Sequence, residues 1–343
     1  LGTSVDLRKA FSITDDGWVA GWGQGPGGGP EIFRVKLGPP CPDPATGEGM
    51  VRWTGADGSF QDGDNWSEGE VPGADQIVHV GGGEGIAQIT LDGDATNQSL
   101  VLVASGGGAL IDATDRTWTL LGEDPCLPGL LTHSQFGELA LHDLLGGTLS
   151  VGGGASLEHG GNVTLTVYGG QRWAVTGGPL LAGHADTTGF HFSDGSTLDA
   201  AQEVLLGLRT GERAAGQFTA GSGLTAERLV LGGRGSGVLR VREGTVQAGL
   251  LILGETAGGH GVLDVGGAAG NILTASGGLV VAEAGSGEML MRHTVATVGP
   301  LQVGALAGSD GLVTVDSTSS LLITTGDVGN DGVGVVELRA GGE

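Results

Sequence analysis

GVLRVR (residues 237–242), GVLDVG (261–266), GEMLMR (287–292), GLVTVD (311–316) and GVVELR (334–339) are five versions of one strand. Their third positions are Leu239, Leu263, Met289, Val313 and Val336, and their fifth are Val241, Val265, Met291, Val315 and Leu338. Both columns are wholly apolar, whereas the fourth positions, Arg240, Asp264, Leu290, Thr314 and Glu337, share no chemistry. A period of two with one apolar side is the pattern of a strand that buries one face. Its repetition predicts strands stacked about 4.8 Å apart with the apolar columns turned inward. Each aliphatic side chain so buried contributes roughly 1.5 to 3 kcal/mol, so these ladders are expected to hold the stack.

The hexapeptide is the second strand of each turn, and a first strand precedes it. VLLG, LVLG, LILG, VVA, LQVG and DVG end at Gly207, Gly232, Gly254, Ala282, Gly304 and Gly329, at steps of 25, 22, 28, 22 and 25 residues. One turn therefore takes about two dozen residues, room for three short strands and three corners. The middle column of this first strand, Leu205, Val230, Ile252 and Val280, is also apolar and turns polar at Gln302 and Asp327. That side is expected to be covered by something outside the solenoid. A shorter third strand follows in GTVQAG, ILTASG, TVATVG and LLITTG. The fold predicted is all-β: a right-handed parallel β-solenoid (β-helix) with three short strands per turn, an N-terminal aromatic-rich cap and a small β extension.

Composition agrees. Glycine supplies 73 of 343 residues, aromatic residues 4% and charged residues 16%, which suits many tight turns and neither a helical bundle nor a charged disordered tail. The formal charge of −24, with Lys9 and Lys36 the only lysines, argues against nucleic acid and anionic lipid as partners. No apolar run reaches the length of a membrane span. Cys41 in PPCPDP and Cys126 in DPCLPG sit in Pro-flanked stretches. A disulfide between them would fit an extracellular compartment, and two independent thiols are the alternative.

The chain divides by texture. Residues 1–37, with AFSITDDGWVAGWGQGPGGGPEIFRVKL, read as a β-hairpin or blade-like extension, and Ala10, Ile13, Asp15, Gly17, Val19, Gly21 and Phe33 resemble the terminal unit of a HAF-type extracellular repeat. Residues 38–50 are a Pro-rich linker. Residues 51–130 hold the cap and first turns. There, Trp53, Gly55, Gly58, Phe60, Asp62, Asn65, Trp66, Pro72, Gly73 and Asp75 resemble the entry segment found before bacterial surface β-helices, and 11 of the 14 aromatic residues lie at or before Trp173. Residues 131–200 have looser spacing and are expected to form irregular turns, and 201–343 the regular repeat. LVLGGRGSGVLRVREGTV and LILGETAGGHGVLDVGG resemble the Gly-rich repeat of autotransporter passengers and exosortase-sorted (PEP-CTERM) surface proteins. That resemblance implies an extracellular or cell-surface bacterial β-helix with no common enzymatic activity. Ala282 at a glycine corner and MRHTV depart from the pattern, which predicts distortion over 282–294. The sequence stops in mid-repeat, so neighbouring domains of a longer chain are expected.

Chemistry on such a scaffold needs carboxylates gathered on one outward face. The sixth positions, Arg242, Gly266, Arg292, Asp316 and Arg339, together with the fourth, give scattered single charges, with Arg240 and Asp264 placed for a cross-rung ion pair. No HExxH, paired-histidine or GxSxG pattern occurs, and GxGxxG at Gly23, Gly25 and Gly28 lacks a strand-to-helix context. Among Asp-rich turns, Asp62 with Asp64 is the best candidate for calcium, although Asp, Asn and Gly are also ordinary turn formers. The expectation is a non-enzymatic, cofactor-free structural or adhesive module: a surface rod, spacer or filament subunit that self-associates. The alternatives are a carbohydrate-binding or carbohydrate-active β-helix acting on extracellular polysaccharide, its groove expected in 130–200, and a calcium-stabilised scaffold.

Overall fold

The computed structural model describes residues 6–13, 18–24, 30–36, 44, 46–81, 85–104, 107–124, 127–134, 139–157, 162–183, 187–267 and 270–339. Two compact units result, Leu1–Pro42 and Asp43–Glu343. In the first, strands Asp6–Ile13, Trp18–Gln24 and Pro30–Lys36 form a three-stranded antiparallel sheet in chain order, one strand more than a hairpin.

The second unit is a parallel β-solenoid of about 11 turns. Its second-strand face is a sheet of 12 strands, each paired with its equivalent one turn away. Because that register holds from turn to turn, one inward column runs unbroken: Ile89, Ile111, Leu144, Val167, Phe192 and Phe218 continue into Val241, Val265, Met291 and Val315. All are buried. Leu239, Leu263, Met289 and Val313 form the neighbouring column and are fully buried. Val336 and Leu338 hold the same register, yet they are 38% and 81% exposed, because nothing among the described residues stacks on the last rung.

Three strands per turn describe only the first half. There the third-face strands Thr117–Leu120, Thr148–Val151 and Arg172–Val175 are separate from the first-face strands Leu130–Ser134, Ala155–Leu157 and Leu180–Ala182. Left-handed glycines break the chain between them: Gly122 (φ +63°), Gly153 (+63°) and Gly177 (+74°). From Thr197–Leu206 onward the two fuse into single strands such as Gly223–Leu231 and Thr245–Leu253, so each later turn has two strands. The corner survives as register shifts, as between Ala200 and Glu203 or Ala248 and Leu250. A bulge bends a strand without ending its ladder.

Three further expectations are corrected. Residues 131–200 pair in parallel register from turn to turn, so the irregular spacing sits in corners rather than in rungs. Ala282 adopts φ +63°, matching Gly254 (+66°) and Gly304 (+67°), and the second-face strands that follow it keep their register, while His293 in the same stretch also takes a left-handed φ of +50°. Finally, the outer apolar column of the first face is covered by the chain's own corners. Leu205, Val230 and Ile252 are buried with Leu208 and Leu250 packed beside them, and Val101, Val103 and Leu131 are closed over by Met50 and Leu127. Met50, placed by sequence at the end of the linker, is thus part of the solenoid's packing.

The entry end is capped by aromatic side chains. Trp53 and Trp66 meet edge-to-face at 5.0 Å, Phe60 bridges Trp66 (4.9 Å) and Trp118 (5.0 Å), and Trp66 Nε1 donates to the Phe60 carbonyl at 2.8 Å. A second cluster, Trp173, Phe190, Phe192 and Phe218, fills the interior midway. It explains Gly216, whose place in the inward column would put a Cβ 2.4 Å from the Phe190 ring.

Candidate functional site

Alternation turns every second side chain outward, so a site on this scaffold must be assembled from outward residues of adjacent turns, fixed by the same register that builds the core. In the sequence the outward columns read as scattered single charges with one cross-rung pair, Arg240 with Asp264. The structure gathers several of them into cross-rung ion pairs. On the second face, Asp264 accepts from Arg292 at 2.6 Å and pairs with Arg242 as well. Its expected partner Arg240 lies directly beside it in register, but the two arginines at sixth positions reach it instead. Burial works to raise the Asp264 pKa, yet hydrogen bonds from Arg242 and Arg292, reinforced by their charges, hold it below the usual carboxylate range. A carboxylate so held stays ionised and does not serve as a general acid at neutral pH.

A second pair group straddles the fused strands. Arg228 Nη1 donates to Glu203 at 2.9 Å and Nη2 pairs with Glu255, linking three successive turns. Partial burial opposes the Arg228 charge, but Glu255 and Glu203 outweigh it and raise the guanidinium pKa. Glu203, Glu227, Arg228, Gln202, Gly249 and Leu250 line an open groove of about 490 Å³ at the bulged corner. A smaller hollow of about 150 Å³ lies between Glu283, Gln302, Leu306, Asp327 and Asn330. The first groove therefore holds an arginine already engaged by two carboxylates from the turns on either side.

The part of 130–200 that sequence favoured for a saccharide groove holds a different arrangement. Asp143 and Tyr168 lie on the outward side of the second face, with Asp112 two turns below Tyr168 in its column. Burial, then the Asp143 and Asp112 charges, raise the Tyr168 pKa. Nothing in the spacing of Asp112, Asp143 and Tyr168, which lie 31 and 25 residues apart, marks them as neighbours; the turn length over this stretch is too irregular to align them.

Asp62 and Asp64 are both exposed, and Asp62 Oδ1 accepts from the Asp64 N–H at 3.1 Å, capping a single 3-10 turn, Gly63–Asn65. Among the described residues no three His, Cys, Asp or Glu side chains come together in a way that could hold a metal ion. Cys41 and Cys126 lie outside the described residues. Trp18 and Trp22 fall on the central strand of the first unit. No helix of the described residues is long and apolar enough to cross a membrane.

One buried polar group carries no mark in the sequence pattern. His142 stands in the inward column between Ala109 and Leu165, fully buried, with neither ring nitrogen hydrogen-bonded. Burial pushes its pKa down to about 4, so it is a neutral core side chain at physiological pH. In LALHDLL, His142 does alternate with apolar residues, but nothing in that stretch gives a reason to face a histidine inward.

No known protein family, curated protein or solved structure matches this chain, so of the resemblances drawn from its repeats only the β-solenoid arrangement itself is established.

Proposed function

We propose that this chain is a non-enzymatic structural or adhesive module of the bacterial cell surface, working as a rod or spacer. The observation that carries the reading is where the outward charges go: Asp264, Glu203 and Glu255 are each tied to an arginine that spans turns, which stiffens the stack. Continuous inward ladders support the same reading, since a stack held along its whole length resists bending. The test is twofold. Protease added to intact cells should degrade the chain if it is displayed, and a panel of uronic-acid and neutral polysaccharides should yield no new reducing ends or unsaturated products. Protection on intact cells, or turnover of any polysaccharide, overturns it.

A carbohydrate-active reading has one specific observation in its favour, the outward grouping of Asp112, Asp143 and Tyr168. It predicts that an oligosaccharide raises the melting temperature and that Asp143→Asn abolishes the shift.

A further inference from the structure

The outward side of the third face differs from that of the second in its charge. Its two ranks are set by an unbroken register through ten strands, from Ala95–Asn97 to Ser320–Val328. One rank carries Thr117, Thr148, Thr197 and Thr245, and the other Thr96, Thr119, Thr225, Thr274 and Thr297. Among the described residues, Arg172 and Asp199 are the sole charged members of either rank, and they bond to each other at 2.8 Å. Ile272 (47% exposed), Val295 (58%) and Leu322 (66%) add aliphatic surface to the later turns. The second face, by contrast, places Asp143, Arg240, Asp264, Glu288, Arg292 and Glu337 outward.

We infer that this threonine-rich face docks a second copy of the chain, face to face and related by a two-fold axis. With a formal charge of −24, two copies repel over most of their surfaces, and an uncharged face is where approach costs least. Periodicity selects the partner further. Side chains about 4.8 Å apart along both ranks interdigitate over the full length only with a surface of the same repeat, which a second copy carries by identity. The dry part of the contact is supplied by Ile272, Val295 and Leu322, and threonine methyl groups extend it. Ten strands make the face about 45 Å long, and two ranks make it about 10 Å wide, so roughly 450 Å² per partner would be buried. That is the size of a weak, reversible interface, suited to lateral bundling of rods held close together.

This inference rests on the reading of the chain as a structural module, and its failure would leave that reading standing, since display and absence of turnover are measured separately. The test is sedimentation equilibrium of the 343-residue chain in reducing buffer, at roughly 1 to 500 µM, with salt raised from about 50 to about 500 mM. A dimer is expected whose affinity rises with salt, because screening relieves acidic repulsion. Thr274→Asp with Val295→Asp should weaken it at least tenfold, and Arg172→Thr with Asp199→Thr, which removes the face's two charges, should tighten it. Unchanged circular dichroism and melting temperature would show that these exposed variants fold. A monomer throughout, or a dimer indifferent to both double variants, overturns the inference. So does a monomer that sediments with an insoluble neutral polysaccharide and loses that binding on Val295→Asp, which would give the face to a saccharide.

Discussion

At single residues, the corners show how narrowly backbone conformation is prescribed. Ala282 holds φ +63° at a position that is glycine in the turns on either side, and a side chain there costs about 1 kcal/mol relative to glycine. Ala282→Gly is therefore expected to raise stability by about 1 kcal/mol, read as a higher urea midpoint. Gly261 is glycine for a different reason. Its Cβ would stand 2.2 Å from the Leu231 carbonyl oxygen and 2.6 Å from the Gly254 nitrogen, so Gly261→Ala forces two turns apart and should lower the midpoint clearly. His142 sets a pH dependence. Its folded pKa of about 4 lies below the 6.5 of an unperturbed histidine, so the unfolded chain binds the extra proton between those values. Its stabilising share is complete above pH 6.5 and is lost as pH falls toward 4, by on the order of 3 kcal/mol. His142→Leu should remove that part of the acid sensitivity, which melting curves at pH 7, 5.5 and 4.5 would show.

At the level of strands, position along the stack decides what a side chain contributes. Leu263 is fully buried between Leu239 and Met289, so Leu263→Ala should cost about 2 to 5 kcal/mol. Leu338 occupies an inward column at 81% exposure, and Leu338→Ala should change the urea midpoint by less than the scatter of the measurement. Paired unfolding curves check both. The inward columns are legible in the amino-acid order itself, because a period of two repeated at near-constant spacing has one folded solution. Fusion of the first and third strands is not. GTVQAGLLIL contains a glycine that reads as a corner, yet Gly249 lies where the strand bulges and continues.

Across the whole solenoid, each turn contacts its neighbours and little else, so stability is a sum over turns and their interfaces. The aromatic cap protects the entry end, whereas the last strands, Ser320–Val328 and Val333–Arg339, leave most of their residues exposed. Amide exchange should accordingly be slowest in the strands from Gly223–Leu231 to Thr294–Val303 and fastest in those last two, as hydrogen-exchange mass spectrometry would resolve. Uniform protection to residue 339 would mean that the final rung is covered in solution, as by further chain or a second copy. The outward surface is only partly legible in the sequence. Asp62 with Asp64 reads as an exposed turn, whereas the pairing of Asp264 with Arg242 and Arg292 depends on side-chain reach across turns, which no linear spacing encodes.

Sequence alone determined the β-solenoid, the two inward columns, the aromatic entry cap and the glycine corners, because each follows from local alternation or from a steric limit at one residue. Tertiary structure decided the rest. It fused two strands of each later turn, laid corner residues over the outer apolar column, buried His142, and aligned threonines from successive turns into one nearly uncharged face. These outcomes depend on which turn stands beside which and in what register, and irregular turn lengths leave that register to packing.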